Sequence, residues 1–256
     1  MAHSVETLIR DLRLRRGRER RGLALAEGVR LVEEAVESGI RIRLAAVAPA
    51  LEGTPRGRAL KARLEGAGVE LHPLDDRALA GLADTEHPQG IVAVIEPRSW
   101  SLEQVKLGAR AVVLVLDGVQ DPGNVGTMIR TAHGLGADAV VALKGTAELT
   151  SPKVLRATMG AIFRLPCVAS DDGVFLPWAG ERHVGLWLAD AGGTPVRAWR
   201  PSRPLALVMG NEGAGVRDAL AEVAAGRVGI PLEPGAESLN VAVAAGILLS
   251  EVRDVA

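Results

Sequence analysis

Residues 111–132, AVVLVLDGVQDPGNVGTMIRTA, decide the fold. Six consecutive apolar residues, Ala111 to Leu116, stop at Asp117, and the turn DPGNVG then leads into a helix. An apolar run that does not alternate makes a strand buried on both faces, and such strands belong to parallel sheets covered by helices. AVVAL (Ala139 to Leu143), HVGLWLA (His183 to Ala189) and PLALVM (Pro204 to Met209) share this character. With helices expected at Val125 to Leu135, Pro152 to Met159 and Asn240 to Val252, residues 110–256 read as an α/β domain with a parallel sheet. The last helix is apolar on nearly every side from Val241 to Leu249, which suits deep core or a subunit interface.

Working outward, residues 1–97 read as a smaller α/β unit. It begins with a basic helix at Val5 to Arg16, a strand at Leu23 to Ala26, and a helix from Val29 to Ser38 that Gly39 would stop. A strand (Ile42 to Ala48), a charged helix (Arg56 to Glu65), a strand (Val69 to Leu71) and a short helix (Arg77 to Leu82) precede the closing apolar run GIVAVIEP, Gly90 to Pro97. Residues 98–109 are polar, lack a sustained apolar period and are the candidate linker.

The 256 residues, 48% apolar and 24% charged, have the composition of a globular protein with room for a sizeable core. No apolar run approaches the ~20 residues that span a bilayer, and charge stands where a signal peptide would be apolar, so a cytoplasmic location without membrane attachment is expected. Cys167 is the only cysteine and sits in the apolar segment RLPCVAS, which marks it as a packing residue. His3, His72, His87, His133 and His183 have no ligand spacing, and no metal site is expected.

The net charge is −1, yet RDLRLRRGRERR (Arg10 to Arg21) is a local basic patch. Arg13, Arg15, Arg16, Arg18, Arg20 and Arg21 are candidate RNA contacts, because the guanidinium fork suits phosphate; a solvated helix end is the alternative. Aromatic residues are 2% of the chain with no Tyr, so RNA would be held by shape and phosphate contacts rather than by stacked aromatic platforms.

The strand-and-glycine-turn device of residues 111–132 recurs in LVMGNEGAGV (Leu207 to Val216) and IPLEPGAESLNVAVAAGILL (Ile230 to Leu249). Loops after parallel strands bind ligands, so the three segments would line one pocket. Asn124 stands where it could cap the following helix, and Arg130 could be a surface charge. Glu212, between glycines, can approach a ligand or an arginine. Ser238 and Asn240 open the last helix; Ser238 could cap it, and no histidine is near to make it a nucleophile. The spacing G-x-x-G-x-G in GNEGAG is wrong for a dinucleotide fingerprint.

In this order the segments resemble the three motifs of the SpoU (TrmH-like) branch of the SPOUT methyltransferases. The match runs through N-x-G-x-x-x-R at Asn124, Gly126 and Arg130, G-N-E-G-x-G at Gly210 to Gly215, and I-P-L with S-L-N-V-A-V-A-A-G-I at Ile230 to Leu232 and Ser238 to Ile247. EGVRLVEEA (Glu27 to Ala35) and HPQGIVAV (His87 to Val94) are similar to the substrate-binding domain of rRNA-directed members. Thr158 and Ala242 stand where the family often has Ser.

The resemblance implies transfer of a methyl group from S-adenosylmethionine to a ribose 2′-hydroxyl of RNA, with rRNA favoured over tRNA. It also implies a trefoil knot in the C-terminal domain, which connection rules alone would exclude, and a homodimer formed through that domain. Asn124, Arg130, Glu212, Ser238 and Asn240 become the catalytic set, and Ala189, Gly210, Ile230, Leu232 and Leu239 the contacts to the methyl donor. A guanidinium stays protonated, so Arg130 would clamp phosphate and stabilise developing alkoxide charge, while Glu212 would orient Arg130 or Asn124 or accept the proton. A tRNA-directed enzyme and a noncatalytic RNA-binding or ribosome-assembly factor on the same fold are the alternatives; erosion of the polar set would favour the latter, and the set is intact.

Overall fold

The computed structural model describes residues 2–236 and 238–254, with side chains from Val5 to Val252 apart from residue 237. The chain forms two compact units: the residues up to Arg98 together with Thr150–Phe163, and Ser99–Leu149 together with the chain from Arg164 onward.

The first unit contains α1 (Ala2–Arg13), α2 (Arg15–Arg21), β1 (Ala24–Glu27), α3 (Val29–Glu37), β2 (Arg41–Val47), α4 (Pro55–Gly66), β3 (Glu70–Pro73), α5 (Asp76–Ala80) and β4 (Ile91–Glu96). The second opens with β5 (Val112–Leu116), α6 (Pro122–Gly134) and β6 (Ala139–Leu143). The chain returns to the first unit for α7 (Pro152–Thr158). It ends in the second with β7 (Cys167–Ser170), α8 (Asp172–Glu181), β8 (Gly185–Pro195), β9 (Leu205–Met209), α9 (Asp218–Ala221), β10 (Gly226–Gly229) and α10 (Val241–Asp254).

The first unit's sheet has the order β1-β4-β2-β3, with only β2 and β3 parallel. Successive strand residues point to opposite faces, and both faces are covered. Ala24, Ala26, Ala45, Ile91, Ala93 and Ile95 pack with Val32, Leu60 and Leu64 from α3 and α4, and with Leu155 of α7. Leu25, Ala46, Val92 and Val94 pack with Ile9 and Leu12 of α1 and Leu79 of α5.

The single basic helix expected at Val5 to Arg16 is two helices. Leu14 is extended, and α2 folds back so closely that a Cβ on Gly17 would lie 2.0 Å from the Asp11 carbonyl oxygen. Arg18 is 5% exposed and donates to the carbonyls of Leu12 and Arg13 at 2.9 and 2.8 Å, satisfying acceptors that the end of α1 leaves open. Its assignment as an RNA contact is therefore corrected: this side chain is spent inside the fold.

In the second unit the order is β10-β8-β9-β5-β6-β7, and every pairing is parallel, as the continuous apolar runs predict. Val113, Val115, Val141, Val168, Leu188 and Val208 share a core with Phe175 and Trp178 of α8 and Leu220 of α9. Helices α6 and α10 pack on each other and against the sheet through β6 and β9. Residues 98–109 are not a free linker, because Leu102 and Val105 are buried in this core and the Trp178 indole donates to the Leu102 carbonyl at 2.9 Å.

Candidate functional site

The site lies at the carboxyl ends of β5, β9, β8 and β10, around the point where the strand order turns from β5-β6-β7 to β9, which is where open parallel sheets bind ligands. Asp117, directly after β5 and 1% exposed, accepts from the Arg217 backbone N–H at 2.8 Å and from its Nε at 2.6 Å. Two steps of β9 away, the Asn211 amide donates to the Gly118 carbonyl at 2.8 Å, while its Oδ1 accepts from the N–H groups of Gly213 and Ala214. The GNEGAG turn is thus tied at both ends to the turn after β5. Gly210 is required there: a Cβ would stand 2.5 Å from the Gly215 carbonyl carbon.

A second local device shapes the opposite wall. Between Leu188 and Thr194, β8 bulges while β10 advances by one residue, from Arg227 to Val228. Such an insertion re-aims the chain, and it turns Ala189, Asp190 and Ala191 into the pocket. The Asp190 carboxyl is held below the ordinary carboxylate value by the Gly192 N–H, at 2.8 Å, and by the Arg227 guanidinium. Gly229 faces the bulge so closely that a Cβ would lie 2.6 Å from the Asp190 carbonyl oxygen.

The resulting cavity has a volume of about 440 Å³, within the range of small-molecule and cofactor sites. All five residues assigned from the sequence to the methyl donor, Ala189, Gly210, Ile230, Leu232 and Leu239, line it, as do Glu212, Ser238 and Asn240. Asp190, Asn211 and Asp117 were not singled out from the sequence. Asp190 follows an apolar run at the expected loop position, a signal that could have found it, whereas nothing local marks Asp117 as the partner of Arg217.

Asn124 does not cap α6. Asp121 does, accepting from the Asn124 N–H at 2.8 Å, and this leaves the Asn124 side chain for other work. Its Nδ2 donates to Glu212 Oε1 at 3.0 Å, and its Oδ1 accepts from Asn240 Nδ2 at 3.1 Å. Asn240 caps α10 through its own Oδ1, which accepts from the N–H groups of Ala242 and Val243; this cap was expected of Ser238 as the alternative to a functional role. One hydrogen-bonded row, Asn240–Asn124–Glu212, therefore joins all three motifs.

Arg130 is not part of that row. It lies six residues beyond Asn124 on α6, about 9 Å along the axis and turned about 120° away. It is exposed and makes no hydrogen bond or ion pair with another described residue.

Elsewhere, Arg20 and Arg21 both pair with Asp11, Arg15 with Glu19, and Arg13 lies 3.9 Å from Asp84; Arg16 is exposed. The basic stretch is thus partly neutralised by its own carboxylates. Cys167 is buried, which pushes its thiol up to about 12, so it carries no nucleophilic chemistry. Among the described residues no group of three His, Cys, Asp or Glu could hold a metal; the side chain of His3 lies outside them. No helix among them is long and apolar enough to cross a membrane.

Comparison with known proteins brings these features together. Residues 111–250 match the SpoU rRNA Methylase family and residues 7–93 the MRM3-like substrate binding domain. The chain is 36% identical over 245 residues to the 23S rRNA (guanosine(2553)-2′-O)-methyltransferase RlmP of Bacillus subtilis, covering 95% of this chain and 94% of that protein. Among solved structures it resembles the SpoU methyltransferase AviRb of Streptomyces viridochromogenes in complex with AdoMet (TM-score 0.88, 29% identity, 96% and 95% of the two chains). It also resembles an AdoMet-bound rRNA methyltransferase of Sinorhizobium meliloti (TM-score 0.85, 30% identity, 98% and 94%).

Proposed function

The chain belongs to the SpoU rRNA methylase family, and we propose that it transfers a methyl group from S-adenosylmethionine to a ribose 2′-hydroxyl of large-subunit rRNA. The observation that carries this reading is the hydrogen-bonded row Asn240–Asn124–Glu212 at the rim of a cavity of cofactor size. The cavity suits the donor: Gly210 and Gly229 hold the backbone close, apolar Ile230, Leu232 and Leu239 offer packing surface, and Asp190 supplies a fixed negative charge. When bound, S-adenosylmethionine supplies a methyl group on a positively charged sulfur.

The chain's own residues then have to orient the ribose hydroxyl, take up its proton and balance the developing charge. Glu212 Oε1 is held by Asn124, and Oε2 has no partner among the described residues, which leaves it to accept a hydrogen bond from the 2′-hydroxyl and then its proton. Asn124 orients that carboxylate and is itself fixed by Asn240. Ser238, exposed at the pocket rim, can donate to the ribose. Arg130 is turned away from the row of its own copy, and in the dimer it clamps the phosphate beside the reacting sugar and offsets alkoxide charge, a role that its lack of partners among the described residues leaves open.

The first unit binds the RNA and the second carries the transfer, a division that the two family matches support. Two copies join through the C-terminal domain, whose chain end forms a trefoil knot; Val243 on α10 is 52% exposed, apolar surface of the kind a subunit interface covers. The protein works in the cytoplasm. The test is to incubate it with rRNA and tRNA and a donor labelled in its methyl group. Label entering 23S rRNA as an alkali-resistant dinucleotide supports the reading; label in a base, or in tRNA alone, refutes it.

A further inference from the structure

A second cavity lies in the first unit, with a volume of about 230 Å³. It is lined by residues of the turn from β1 into α3, of the segment before β4 and of α7, with Arg30, His87, Gln89 and Arg156 as its polar groups besides Glu27 and Thr85. This volume falls below that of a whole-cofactor site and suits a single planar ring system.

The hydrogen bonding of the walls decides what the cavity can hold. Glu27 is 6% exposed and its carboxylate is saturated: it accepts from the N–H groups of Asp84 and Thr85 at 2.8 and 3.1 Å, from the Thr85 hydroxyl, and from Arg156 Nη1 at 3.2 Å. Asp84 holds the other arm of Arg156 at 2.5 Å. The one deep acid is therefore scaffolding, and it fixes the Arg156 guanidinium in the lining of the cavity. Gln89 Oε1 accepts from the Val29 N–H at 2.9 Å, passing Gly28, whose φ of +92° excludes a side chain there. That leaves the Gln89 amide N–H2 and the whole Arg30 guanidinium without a protein partner among the described residues.

Apart from His87, whose neutral ring offers one donor and one acceptor, the free groups are thus donors, in a protein almost without aromatic rings. Unstacked RNA bases are held this way, on guanidinium planes and through hydrogen bonds to their edges. Resting on the rRNA reading above, we propose that this cavity takes one unstacked nucleotide of the substrate rRNA, with Arg30 and Gln89 donating to acceptor atoms on the base edge. Guanine, whose O6 and N7 form the acceptor pair that a guanidinium reads in bidentate fashion, is the best match. This site shares no lining residue with the donor pocket or with the basic stretch Arg10 to Arg21, and it gives the first unit a means of selecting sequence as well as charge.

The test measures binding of in vitro transcribed 23S rRNA to the full-length protein and to Arg30→Ala, Arg30→Lys and Gln89→Glu, together with the melting temperature and donor affinity of each. Gln89→Glu keeps the acceptor for the Val29 N–H while removing the donor, so it separates recognition from structure. Arg30→Ala and Gln89→Glu are expected to weaken RNA binding about ten-fold or more with melting and donor affinity unchanged, and Arg30→Lys to fail to restore it. Unchanged RNA affinity in both variants, a loss that tracks a fall in melting temperature, or full recovery with Arg30→Lys, meaning a phosphate contact only, would overturn the proposal. Wild-type protein that leaves rRNA unmethylated refutes the functional reading instead, so the two failures are distinct.

Discussion

At the scale of single residues, the site depends on side chains that the sequence leaves with two possible jobs. Asn124 and Ser238 could each have been helix caps. Asp121 and Asn240 cap those helices instead, and Asn124 is released to join Glu212 to Asn240. Asn124→Ala should therefore lower kcat about 100-fold or more with donor affinity nearly unchanged, because it removes the hydrogen bond that orients the carboxylate rather than a wall of the cavity. Single-turnover transfer beside calorimetric donor titration measures both. At Asp190 the folded carboxyl sits below its ordinary value of 3.8, so its contribution is complete above that pH and is lost as pH falls through the lower folded value. At neutral pH it is ionised, and Asp190→Asn should weaken donor binding several-fold by loosening the bulge; an unchanged dissociation constant would contradict this. Cys167, buried, should resist Ellman's reagent at pH 8 until the protein is unfolded.

At the scale of elements, the strands that face two covered sides were legible because an uninterrupted apolar run admits few other readings. β5, β6 and β9 fall within a residue of their expected positions. β7 escaped because four residues, CVAS, carry too little pattern to separate a strand from a loop, and the strand expected to end at IPLEPG is β10, GRVG, which stops at Gly229, just before Ile230. The break between α1 and α2 escaped for a different reason: both segments are helical in pattern, and only the contact of Gly17 with the Asp11 carbonyl reveals the fold-back. The turn after β9 is a tighter test of the site. Gly210→Ala places a Cβ 2.5 Å from the Gly215 carbonyl carbon, so the turn must move. A loss of about 1–3 kcal/mol in stability by denaturant melts, with donor binding weakened alongside it, is the expected result. Phe175→Ala, on the buried face of α8, should cost about 3–5 kcal/mol without altering which RNA is methylated.

At the scale of the whole molecule, the sequence reads as two domains in series, whereas the structure sends residues 150–163 from the middle of the second back to the first. Arg156, within the span matched to the methylase family, is thereby held by Glu27 and Asp84 of the first unit. No local pattern announces such an exchange, since α7 looks like any short helix and its partners are more than 70 residues away in sequence. Within the basic stretch the structure withdraws Arg18 alone, which is buried, while Arg15, Arg20 and Arg21 pair with Glu19 and Asp11 and stay exposed. The three loop motifs, by contrast, were readable as one site because their chemistry is carried by residue identity and order. The most direct measurement of the central claim is methyl transfer to 23S rRNA at saturating donor, mapped by resistance to alkaline hydrolysis, for wild type and Arg130→Ala in parallel. Wild type is expected to give one ribose-methylated position, and Arg130→Ala a rate reduced at least about 100-fold at nearly unchanged donor affinity. Equal turnover in the two proteins, or methyl groups on a base, would rule out the assigned reaction.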